Sequence, residues 1–84
     1  MAYTRTYRTV IPVDPDTDLD VLRWLTRESF ERKAEGDALR IIDYTEGTVP
    51  AEDIPPKVGK QLGRPVTTFQ WYSFEAKATN ETGG

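Results

Sequence analysis

The sequence predicts an α+β fold: one helix packed on a small three-stranded sheet, in the order strand, helix, strand, long connection, strand. Three observations carry this expectation. Residues 3–11 alternate in character and are dense in Tyr, Thr and β-branched side chains. From residue 18 the apolar positions change to a helical period. Two further strand-like segments, 38–46 and 66–77, then enclose a stretch rich in Pro and Gly. With 84 residues the chain supports one domain, expected over residues 1–78, followed by an unstructured polar tail at 79–84.

The first strand, Tyr3 to Ile11, is expected to stop at Pro12, Asp14 and Pro15. The helix is expected over 18–35, with Leu19, Leu22, Leu25, Phe30 and Ala34 on one broad face and Val21 at its margin. Thr17 with Asp20 resembles a capping box, and Asp14 before Pro15 offers a competing start. Asp18 and Asp20 suit the positive end of the helix dipole, and Gly36 suits the left-handed residue after the last turn. The second strand closes at Gly47. In the third, Phe69 and Trp71 point to one side and Tyr72, Phe74 and Ala76 to the other, so both faces carry apolar groups or a bulge intervenes. The 18 residues from Thr48 to Pro65 are long for a bare connection, and Pro50 and Pro56 each suit the start of a short helical turn. Strands one and two are parallel if they are neighbours, and other pairings open if strand three lies between them.

Composition removes whole functional classes. There is no cysteine, hence no disulfide, thiolate metal site or cysteine nucleophile. There is no histidine either, the commonest general base and nitrogen ligand. Ser29 and Ser73 have no histidine to activate them, and no carboxylate pair or lysine sits in an apolar stretch that would shift its pKa, so no enzyme and no cofactor are expected. No apolar run approaches the ~20 residues of a membrane span, and Met1 to Arg5 lacks the apolar stretch of a signal peptide. A cytoplasmic protein without membrane contact is the expectation.

Two strings invite a functional reading. Asp14, Asp16 and Asp18 alternate like calcium ligands, yet the Gly and Glu that such a loop requires are replaced by Leu19 and Leu25, and helix capping explains the aspartates. No metal site is therefore expected. Pro56 to Arg64 holds Lys57, Lys60 and Arg64 beside two glycines, but Gln61 follows Lys60 where a phosphate loop needs Ser or Thr. With Arg5 and Arg8 these cations form the alternative reading, a nucleic-acid contact, which the net charge of −3 opposes.

The nine aromatic residues carry the main expectation. One helix covers one face of a sheet. The other face is expected to be open and to gather Tyr3, Arg5, Tyr7, Arg40, Tyr44, Tyr72 and Phe74, types enriched at interfaces because they bury area and keep a polar handle. Trp24, at the border of the helix's apolar face, is a further contact. The expected function is thus a non-enzymatic interaction or accessory protein that self-associates and binds a protein partner. In general character the chain resembles small accessory proteins of bacteria or their viruses, and no motif accompanies that resemblance.

Overall fold

The computed structural model describes residues 3–80. Strand β1 (Thr4–Val13) leads to helix α1 (Leu19–Gly36) and strand β2 (Arg40–Val49). The connection holds a 3₁₀ turn (Ala51–Asp53), helix α2 (Pro56–Leu62) and a second 3₁₀ turn (Val66–Thr68) before strand β3 (Gln70–Thr79). The fold is α+β, a single antiparallel sheet of order β1-β3-β2. β3 lies between the other two and pairs with both over nearly its whole length, which resolves the open question of strand order. The connection folds into short helical pieces at the two prolines, as the spacing suggested.

Local chemistry shifts several boundaries. β1 runs through Pro12, which an edge strand tolerates because its missing N–H faces outward. Asp18, not Thr17, caps α1: its Oδ1 accepts from the amides of Asp20 and Val21, while Thr17 Oγ1 accepts from the Asp14 amide. Gly36 stays helical, and the left-handed residue is Ala38 at φ 59°. Gly63 closes α2 at φ 80°, a conformation that favours glycine. The ladder continues to Thr79 and past it, where Asn80 exchanges bonds with Tyr3; residues 81–84 of the expected tail lie outside the described residues.

The core sits between α1 and one sheet face. Phe30, Ala34 and Leu39 pack on Tyr7, Phe74, Ala76 and Ala78, with Leu22, Ile11, Ile41, Tyr44 and Tyr72 at the margin. The small Ala76 and Ala78 in the central strand leave room for the helix, and Tyr7 and Tyr44 flank Ala76 on the two edge strands. Among the described residues Phe30 is the one large side chain below 2% exposure, so the core is thin. The inward stripe of α1 is Leu22, Thr26, Phe30 and Ala34, each four residues from the last. Leu25, expected on that face, points outward, and Thr26 takes the inner place by donating its hydroxyl to the Leu22 carbonyl at 2.7 Å.

Candidate interaction surface

The expectation of an open aromatic sheet face is overturned. Tyr7, Tyr44, Tyr72 and Phe74 lie on the side that α1 covers. Their position follows from the register: Tyr7, Ala76 and Tyr44 form one row across the sheet, and Ile11 and Tyr72 share another. The Tyr7 ring stacks on Phe30 at 6.3 Å, and its hydroxyl donates to Asp37 Oδ2 at 2.5 Å. Burial first, then the Asp37 carboxylate, pushes the Tyr7 hydroxyl above its ordinary pKa of 10.0. Burial and Glu31, which accepts from the Tyr44 hydroxyl at 2.9 Å, do the same to Tyr44. Arg5 donates to Asp37 Oδ2 at 2.9 Å and lies over the Tyr7 ring, and Arg27 lies over the Tyr44 ring. Arg40 sits on β2 opposite Thr79. Tyr3 is exposed at the start of β1, far along the chain from Trp24 and bonded to Asn80.

Among the described residues the reverse sheet face carries no aromatic array. Its rows read Thr6–Lys77–Asp43, Arg8–Glu75–Thr45 and Val10–Ser73–Gly47. The next row holds Trp71, which is 4% exposed, lies beside Ile54 and Val58 of the connection, and donates through Nε1 to the Val66 carbonyl at 2.8 Å. The proline-rich connection therefore roofs the one indole on that side. Phase alone explains the arrangement: Trp71 and Tyr72 are neighbours in an extended strand and point to opposite faces.

Tyr3, Val10, Ile42 and Leu62 are exposed elsewhere, and three adjoining exposed apolar side chains lie on the outward side of α1. Val21, Trp24 and Leu25 are 52%, 59% and 50% exposed, and their spacing of three and four residues makes them neighbours on the helix. Beside them runs a groove between α1 and β1, about 260 Å³ and lined by Thr9, Ile11, Leu22, Leu25, Ser29 and Lys33. It exists because one helix, ~10 Å wide, cannot cover three strands spaced ~4.8 Å apart; α1 packs chiefly on β2 and β3. Of the expected contact residues, Trp24 alone belongs to this patch. Val21 and Leu25 were missed, although the series 22, 26, 30, 34 leaves 21 and 25 on the other side.

The charged residues serve mainly as ties between elements. Arg23 binds Asp20 at 3.0 Å and Glu46 at 2.7 Å, joining α1 to β2, and the Glu46 bond raises the Arg23 pKa. Arg64 binds Asp14 at 2.6 Å and stacks over Phe69. Of the alternative nucleic-acid set, Arg5 and Arg64 are thus ion-paired, Arg8 lies on the reverse face opposite Glu75, and Lys57 and Lys60 lie on α2. The set forms no single basic surface. Among the described residues no group of acidic side chains is placed to hold a metal ion; Asp14 and Asp18 have the structural partners given above. The cleft between α1 and β2, about 100 Å³ and lined by Arg23, Arg27, Tyr44 and Glu46, is below the ~300 Å³ of usual small-molecule sites. No helix among the described residues is long and apolar enough to cross a membrane. No family model matches the chain, and no curated protein or solved structure matches it either.

Proposed function

We propose that the chain is a non-enzymatic interaction module whose contact surface is the outward face of α1. The exposed trio Val21, Trp24 and Leu25 carries this reading. Single exposed apolar residues are ordinary, but three adjoining ones that include Trp form the kind of patch that marks a protein contact. The far side of the same helix is already spent on the core, through Leu22, Phe30 and Ala34. A sheet base tied to α1 by Tyr7–Asp37 and Arg23–Glu46 holds the patch in place before any partner arrives. The lack of His and Cys, and the pairing of Asp14, Glu31, Asp37 and Glu46 with partners on other elements, favour a binding role over a catalytic one.

The test is photo-crosslinking in cells that make the chain, with a benzophenone amino acid at position 24 and, as a control, at Lys77 on the reverse face. Protein adducts from position 24 in clear excess over position 77 support the reading. Adducts that are equal at both sites, or absent from position 24, refute it.

A further inference from the structure

β1 is an edge strand with a free flank. Among the described residues it pairs with β3 alone, in unbroken register from Thr4 to Val13. Asn80 donates its amide to the Tyr3 carbonyl, so Tyr3 and Asn80 form a hydrogen-bonded pair. Such pairs alternate along an antiparallel ladder. Arg5, Tyr7, Thr9 and Ile11 therefore bond to β3, while Thr4, Thr6, Arg8 and Val10 turn their N–H and C=O groups away from it. Pro12, next in that outward series, has no N–H to offer and ends the free flank. β2, the other edge, is blunted. Its register shifts between Ile41 and Asp43, and α1 reaches over it through the Glu31–Tyr44 and Arg23–Glu46 contacts.

A hollow borders the same stretch of β1 on each face. On the reverse face Arg8 and Val10 line one of about 470 Å³ with Ile54, Pro55 and Val58. On the helix face Thr9 and Ile11 line the groove of about 260 Å³ with Leu22 and Leu25. A strand complements both features at once. Its main chain meets the outward groups of β1, and its side chains alternate between the two hollows. The side chain directly opposite Arg8 has that guanidinium as its cross-strand neighbour. Arg8 makes no ion pair among the described residues; Glu75 lies one strand further in, and Asp53 lines the reverse hollow from the connection. We propose that β1 takes up an extended segment of another protein, apolar toward both hollows and acidic opposite Arg8. A second β1 is the poorer occupant, because the two-fold register that overlaps Thr4 to Pro12 most fully sets Arg8 against Arg8. This contact does not depend on the reading of α1's outward face, although Leu25 borders both.

The probe is a blocked octapeptide that alternates Thr and Val, with Glu in the fifth place. At about 2 mM it is expected to slow amide hydrogen exchange at Thr6, Arg8 and Val10 at least about threefold, leaving Tyr44 and Glu46 unchanged. Methylation of the peptide amides that face β1 abolishes the effect, whereas methylation of the alternate amides preserves it. Val10→Pro removes one outward N–H from an edge strand that already carries Pro12, and is expected to weaken binding at least about fivefold. Circular dichroism establishes that this variant is folded. Arg8→Glu shifts the preference to a peptide with Lys in the fifth place. Unchanged exchange at Thr6, Arg8 and Val10 overturns the proposal. So does an equal response to the two methylation patterns, or protection that falls on Tyr44 and Glu46 instead. Protection of the β1 amides that appears without peptide as the chain is concentrated makes a second copy the occupant, and overturns it as well.

Discussion

Asp37 Oδ2 accepts from the Tyr7 hydroxyl at 2.5 Å and from Arg5 Nη1 at 2.9 Å. One carboxylate just past the end of α1 thereby fixes β1 beneath the helix, 30 residues away from Tyr7 in sequence. The bond explains why a tyrosine that alternation places on an interface-like face belongs to the core. Tyr7→Phe removes the donor and keeps the ring on Phe30. We expect a melting temperature lower by roughly 4–8 °C with an unchanged far-ultraviolet spectrum.

The same geometry sets a pH response. Tyr7 and Tyr44 both have pKa values raised above 10.0 in the fold. A raised pKa means that the folded chain holds the proton more tightly than the unfolded chain. The resulting stability is complete below pH 10 and is lost as pH climbs through the folded-state values. Urea midpoints should hold steady from about pH 8 to pH 9.5 and fall beyond, and Tyr7→Phe should blunt the fall.

Phe30 is the keystone of a thin core. Its replacement by Ala costs about 3–5 kcal/mol, in a domain whose total is expected near the low end of the ~5–15 kcal/mol range. Phe30→Ala should therefore leave most of the chain unfolded at room temperature, measured by circular dichroism and urea titration. Leu25→Ala, on the outward side of the same helix, should change stability by less than about 0.5 kcal/mol.

Two glycines should respond in opposite directions. A Cβ on Gly59 would lie 2.8 Å from the Arg64 carbonyl oxygen and 3.1 Å from the Val66 amide nitrogen. Gly59→Ala should destabilise the chain by about 1–3 kcal/mol, by forcing α2 away from the turn at Val66. Gly36 is helical and meets nothing within 4 Å, so Gly36→Ala should stabilise by about 0.5–1 kcal/mol. Chemical denaturation of the two variants beside the parent checks both signs.

Much of the fold was legible in the residues. The switch from period two to a helical period of about 3.6 after Asp18, and the prolines at 50 and 56, mark elements that local chemistry largely decides. What was not legible depends on the third dimension. Which side of β1 faces α1 is the same alternation read with either sign, and only the crossing of the helix over β3 selects Tyr7, Tyr44 and Phe74 as core. The fate of Trp71 depended on where an 18-residue connection folds back, which its Pro and Gly content does not encode. The outward patch was within reach: Phe30 and Ala34 are five and nine residues from Leu25, spacings that set it on the other side of a helix.

Hydroxyl-radical footprinting of the unmodified chain tests the central claim most directly, because it reads side-chain exposure at named residues without altering them. The dilute chain should be compared with the chain at high concentration and in extract of its host. The account predicts that Val21, Trp24 and Leu25 become protected together in one or both of the latter conditions, while exposed Ile42 and Leu62 keep their reactivity. A Trp24 that stays equally reactive throughout, with protection falling on Ile42 or on the Thr6–Lys77–Asp43 row instead, would contradict it.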